Sequence, residues 1–185
     1  MDIALSWDLV LVAAAILLFA YNFLLGQDAT LKLVLSIYIA TLTADGIAHM
    51  VESFLIKPSP ALTAWADGAG EDWFLFLRLG FFLLAIIIFV VKGGFHIRLE
   101  KHDHWAARTV IHAVFSVLSA TLFLATILIY LSGNSFVDGL QHATEIPLYE
   151  QSSIARLLLG HYQVWFSLPA IGFLVTSFFF ERPRD

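Results

Sequence analysis

The sequence predicts an all-α, polytopic membrane bundle of about five transmembrane helices, amino terminus outside and carboxyl terminus inside. Three observations carry that reading. Apolar stretches at 9–25, 31–56, 73–91, 110–131 and 154–180 fill most of the 185-residue chain. A helix of about 20 mostly apolar residues crosses a ~30 Å hydrocarbon layer. The stretches lack the alternation of a barrel strand, and only helices or closed barrels satisfy every backbone polar group in lipid. The composition agrees, with 59% hydrophobic and 14% charged residues and 17 Phe, too little polar surface for a soluble domain of this size.

Basic residues give the orientation, because Lys and Arg collect on the cytoplasmic side. With the amino terminus outside, the inner face receives Lys32, Lys92, Arg98, Lys101, Arg108, Arg182 and Arg184, and the outer face only Lys57 and Arg156. Arg78 falls within a span. Asp2, Asp8, Asp67, Glu71, Asp72, Asp138, Glu145 and Glu150 all lie outside in this arrangement. The first eight residues carry two acids and no base, unlike a signal-peptide n-region, so the first span reads as a retained helix.

The elements follow in order. The connection at 26–30 is short, so the first two spans form an antiparallel hairpin, with Gly26 ending the first and Asp28 or Thr30 capping the second. The connection at 57–72 holds Pro58, Pro60, Gly68 and Gly70 around Trp65, which reads as an outer loop at the interface. Trp73 then opens the third span in the aromatic belt. The segment 92–108, with His96, His102 and His104, is the most polar inner connection; its histidines and His112 read as solvated or headgroup-facing residues. The segment 132–153 is the longest loop, apolar enough to lie on the membrane, with a short amphipathic helix expected around 135–144. Pro169 in the fifth span predicts a kink near Phe166. Ser36, Thr41, Thr43, Gly46, Ser116, Ser119, Thr121 and Gly160 suit close helix contact, while Phe81, Phe82 and Phe178 to Phe180 are expected to face lipid. There is no internal repeat, and residues 1–185 form one membrane domain.

The chain has no cysteine, which excludes disulfides, thiolate metal sites and thiol redox chemistry. A net charge of −5 with scattered basic residues gives no reason to invoke nucleic acid. No nucleophile, phosphate-binding or catalytic motif is present, and no cofactor is implied.

Ionisable residues inside spans are the functional candidates. Asp45, His49 and Glu52 are spaced by four and three residues, which puts them on one helical face. At a rise of ~1.5 Å per residue, His49, Glu52, Arg78 and His161 share one depth in the outer half, with Asp45 near mid-membrane. Three readings apply. Arg78 pairs with Glu52, the best match in depth, or with Asp45 in a structural cluster. Alternatively, stepped carboxylates and imidazoles relay protons. The third reading is a cofactor or metal site, with His49 and His161 as axial haem ligands or Asp45, His49 and Glu52 around a divalent ion.

Leu35-Ser36-Ile37-Tyr38-Ile39-Ala40, following the Gly26 turn, and Ser152-Ser153-Ile154-Ala155-Arg156, leading into Leu168-Pro169-Ala170, resemble the colicin V production protein family. Taken from Gly26 to Ala40 and from Ser152 to Ala170, these pieces cover just under a fifth of the chain. The resemblance implies a bacterial inner-membrane protein without known catalysis, and assigns a role to no residue. The expected function is therefore that of a non-enzymatic membrane protein, in contact with lipid, acting by assembly with itself or with other membrane proteins. The alternatives are a small transporter or proton-conducting subunit and a haem-binding electron carrier.

Overall fold

Long apolar runs bounded by capping residues become helices, and the computed structural model contains eight helical segments among the residues it describes, 6–69, 72–92, 105–135, 149 and 151–180. These are α1 (Trp7–Leu25), α2 (Gln27–Met50), a π-helical turn (Val51–Ile56), α3 (Pro60–Ala69), α4 (Asp72–Lys92), α5 (Trp105–Leu131), α6 (Ser153–Gly160) and α7 (Tyr162–Phe180). Four stretches are long and apolar enough to cross a membrane: Trp7–Leu25, Gln27–Ile56, Trp73–Lys92 and Thr109–Leu131. The bent pair α6 and α7 supplies a fifth if it is counted as one span.

The connections differ from expectation in ways that have local causes. The hairpin turn shrinks to Gly26 alone, at φ 89° and ψ 168°, a region essentially reserved for glycine. Neither Asp28 nor Thr30 caps α2, whose first residue already follows Gly26. The Thr30 hydroxyl instead turns back to the carbonyls of Asn22 and Gly26, at 2.9 and 3.0 Å. Within the second connection, Ser59 and Pro60 start a ten-residue helix where a loop was expected. Proline is well placed in a first helical turn, where its missing N–H has no partner to lose. Residues 136–144 of the expected amphipathic helix, and His96, His102 and His104, lie outside the described residues.

Contacts between ends set the directions of the helices. Lys32 Nζ donates to the Val90 carbonyl at 3.1 Å, so α4 ends where α2 begins. His112 lies beside Thr30, so α5 starts at this Gly26 end. The Ser152 hydroxyl and the Ile154 amide donate to Asp8 Oδ1 at 2.5 and 3.2 Å, which sets the start of α6 beside the start of α1 at the opposite, Ser6 end. Ser152 also caps α6, accepting from Ala155 N at 3.0 Å.

Helices α2 and α5 form the centre, α2 packing on α4 and α5, and α5 also on α1, α6 and α7. One core joins Val34, Ile37, Ala40, Phe82, Ile86, Leu122 and Tyr130; a second joins Leu11, Leu124, Leu128, Ala155, Leu158 and Leu159. Phe82 was expected to face lipid, but it is fully buried against Tyr130 and Phe123, at ring separations of 5.4 and 6.0 Å. Its place four residues after Arg78 puts it on the same inward face. Phe81 is half-buried against the same core, while the side chains of Phe178 to Phe180 lie outside the described set.

The bend in the last span also moves. It measures 64° and falls at His161, not near Phe166. Gly160 is a poor helix former, and His161, at φ −122° and ψ 30°, leaves the helical region. Helix α7 runs on through Pro169. In the turn before this proline, the Phe166 carbonyl accepts a hydrogen bond from the Tyr38 hydroxyl of α2, and the two rings meet edge to face at 5.3 Å.

Candidate functional site: two buried polar centres

The first centre lies towards the Ser6 end, where α2, α4 and α5 meet. Asp45 and Arg78 are buried, only 4% and 9% exposed. Tyr130, fully buried, directs its hydroxyl at the Thr41 carbonyl, 3.2 Å away, and into hydrogen-bonding reach of the Asp45 carboxylate. The Arg78 guanidinium acts electrostatically on the same hydroxyl and lies over the Phe74 ring at 4.6 Å. An acid and a phenol thus meet at one oxygen, with a guanidinium near enough to act on it through space. Such an arrangement fixes three helices against one another, because each charge is costly to leave alone in an apolar surround. It also places a carboxylate and a hydroxyl in proton-transfer contact.

The helical positions explain this convergence. Thr41 and Asp45 are four residues apart on α2, so the carbonyl and the carboxylate face α5 together. Arg78 and Phe74 have the same spacing on α4, which lays the aromatic face under the cation.

The other candidates fall elsewhere. Glu52 forms an ion pair with Lys57 at 3.1 Å, both side chains open to the surroundings at 36% and 65% exposure. The wide turn from Val51 to Ile56 carries an i→i+5 bond, from Lys57 N to Glu52 O at 3.0 Å, and that spacing stacks the two residues. His49 and His161 are exposed, on α2 and at the α6–α7 bend. Of the five expected residues the structure therefore brings Asp45 and Arg78 together, around a tyrosine that the sequence reading did not single out. Among the described residues, no three His, Asp or Glu groups gather as a metal would require.

The second centre lies at the Gly26 end between α1, α2 and α5. His112 Nε2 approaches the Asn22 carbonyl at 3.3 Å and Thr30 Oγ1 at 3.5 Å. Its ring stacks on Phe23 at 4.9 Å with planes 7° apart. Asn22 Nδ2 reaches the Ser116 carbonyl at 3.5 Å. Asn22, Thr30, Ser116 and Ser119 are all buried, and Asn22 Oδ1, Ser116 Oγ and Ser119 Oγ find no hydrogen-bond partner among the described residues. The sequence signal for this centre was Asn22, an amide inside an apolar run. A reading restricted to ionisable groups passes over it.

Compared with known proteins, the chain matches no family model, no curated protein and no solved structure. The resemblance to the colicin V production family therefore rests on the quoted sequence segments alone.

Proposed function

We propose that the chain is a non-enzymatic integral membrane protein of a bacterial inner membrane. In this reading its amino terminus is outside and its carboxyl terminus inside, and it acts by assembling with itself or with other membrane proteins. The observation that carries this is the polar exterior of two helices: His49 on α2 and Gln163 on α7 are exposed on the outside of the bundle, as is Ser167, whose hydroxyl also donates to the Gln163 carbonyl at 2.7 Å. Polar groups at membrane depth are costly against lipid and are satisfied by hydrogen bonds to neighbouring helices. Native mass spectrometry from detergent, backed by energy transfer between singly labelled copies in liposomes, tests it. A dimer or higher assembly that weakens on His49→Leu or Ser167→Leu is the expected result. A monomer by both methods, with no co-purifying membrane partner, would overturn it.

A second reading, proton conduction, is favoured by the contact of the Asp45 carboxylate with the Tyr130 hydroxyl in the middle of the bundle. Proton flux into liposomes that falls on Asp45→Asn, with the protein still folded, is its expected signature. Equal flux from wild type and variant would remove it.

A further inference from the structure

We propose that the polar centre formed by Asn22, His112, Ser116 and Ser119 holds ordered water and is one half of a proton path along α5. The other half is the Tyr130–Asp45 centre, and an apolar plug separates the two.

Three observations lead there. Asn22 Oδ1, Ser116 Oγ and Ser119 Oγ are buried without a partner among the described residues. Buried polar groups in proteins are almost always hydrogen-bonded, and ordered water is the usual partner where the protein supplies none. Asn22 Oδ1 needs a donor, and the two hydroxyls both give and accept, so water meets the demand of all three.

His112, Ser116, Ser119, Thr126 and Tyr130 follow one another at steps of four, three, seven and four residues. These steps keep all five on one face of α5, the face turned to α2. The longest step, from Ser119 to Thr126, covers about 10 Å of helix. Leu122 falls within that interval, and with Ile37 and Phe82, all fully buried, it belongs to the apolar core that also packs on Tyr130. Thr126 Oγ1 is committed within its own helix, to Leu122 O at 2.8 Å. A short apolar constriction between two polar chambers is a gate that closes by excluding water. The proposal rests on the proton-conduction reading only for its outer half, and the two halves are tested separately.

For the inner half, the sequence contains two asparagines, Asn22 and Asn134. Protein labelled with ¹⁵N-asparagine in nanodiscs therefore shows two side-chain amide pairs, assigned by Asn134→Asp. A direct water cross-peak is expected at the Asn22 amide, lost or reduced at least threefold in Ser119→Val; Ser116→Ala serves if that variant does not fold. An Asn22 amide with no water cross-peak would overturn the inner centre.

For the path, Phe82→Ala should raise proton flux in liposomes at least tenfold over wild type, and Leu122→Ala offers a milder opening of the same plug. Either increase should disappear when Asp45→Asn is added, and also when Ser119→Val is added. Flux that stays at the wild-type level in both plug variants would overturn the path. So would a leak that ignores Asp45 and Ser119. Asp45→Asn in the unopened bundle reports on the outer centre alone, so its failure is distinguishable from failure of the inner centre.

Discussion

A buried acid and a buried base are held where they are by what each would lose alone. Removing one member of a buried charge-bearing cluster strands the rest, at a cost of about 3 kcal/mol or more, whereas apolar replacement of several members recovers much of it. Asp45→Leu and Arg78→Leu should each lower the midpoint of unfolding in mixed micelles, and the double variant should lie well above the sum. Tyr130→Phe, which removes only the hydroxyl that joins Thr41 and Asp45, should cost about 1 kcal/mol. Glu52→Leu should be close to neutral, since Glu52 belongs to an exposed pair with Lys57 and such pairs contribute little. Strict additivity of the Asp45 and Arg78 changes would separate the two residues. Asp8 makes a different kind of link, because its carboxylate accepts both the Ser152 hydroxyl and the Ile154 amide. Asp8→Ala should remove this cap and should expose α6 to proteolysis before the rest of the bundle.

At the level of elements, the Tyr38–Phe166 bond ties α2 to α7 beside a proline without depending on it. The missing N–H at Pro169 is the one that would bond the Trp165 carbonyl, four residues back, while the Tyr38 hydroxyl of α2 is donated to the neighbouring Phe166 carbonyl. Tyr38→Phe should therefore destabilise the bundle by about 1 kcal/mol, and by the same amount in a Pro169→Ala background, because the bond that alanine restores runs to Trp165 and not to Phe166. A Tyr38→Phe effect that disappears in the Pro169→Ala background would overturn this independence.

The spans themselves were legible because length and apolarity act locally: 31–56 and 73–91 differ from the observed Gln27–Ile56 and Trp73–Lys92 only at their ends. The bend was not, because Pro169 is carried inside α7 and the chain breaks instead at Gly160 and His161. Burial of Phe82 was missed for a different reason. Its neighbours Tyr130 and Phe123 come from another helix, and an apolar span offers no polar face to contrast with its inward one. Within the site, the spacing of Asp45 from Thr41 was on the page, but the partner Tyr130 sits in an unbroken apolar run. The Ser59-Pro60 start of α3 was a signal available in sequence and left unread.

For the whole molecule, the testable property is which way it sits. Seven of the nine basic residues outside the spans lie at the Gly26 end of the chain's path or in segments predicted to share its side, and this bias sets orientation. Lys57, which follows the π-helical turn, should react with an impermeant amine reagent in intact cells. Lys101 should react only after permeabilisation, and the opposite pattern would invert the proposed topology. The many exposed apolar side chains of α1, among them Leu9, Ile16, Leu17 and Leu24, suit contact with lipid chains on that flank. The polar exterior lies on α2 and α7, so an assembly interface is expected there and not on α1. Cross-links between copies should form from positions near Ser167 and not from Leu17.

Gly26 has a consequence that concerns handedness. An added methyl group at this position would meet no atom within 4 Å, so nothing around it objects to a larger residue. The objection lies in the backbone, whose positive φ of 89° is disfavoured for residues of one chirality and open to those of the other. Replacing Gly26 with L-alanine should therefore strain the turn by about 1–3 kcal/mol, although the site is uncrowded. A chain assembled by peptide ligation with D-alanine at the same place should retain the stability of the original. The mirror-image residue separates conformational from steric intolerance, because both alanines carry the same atoms.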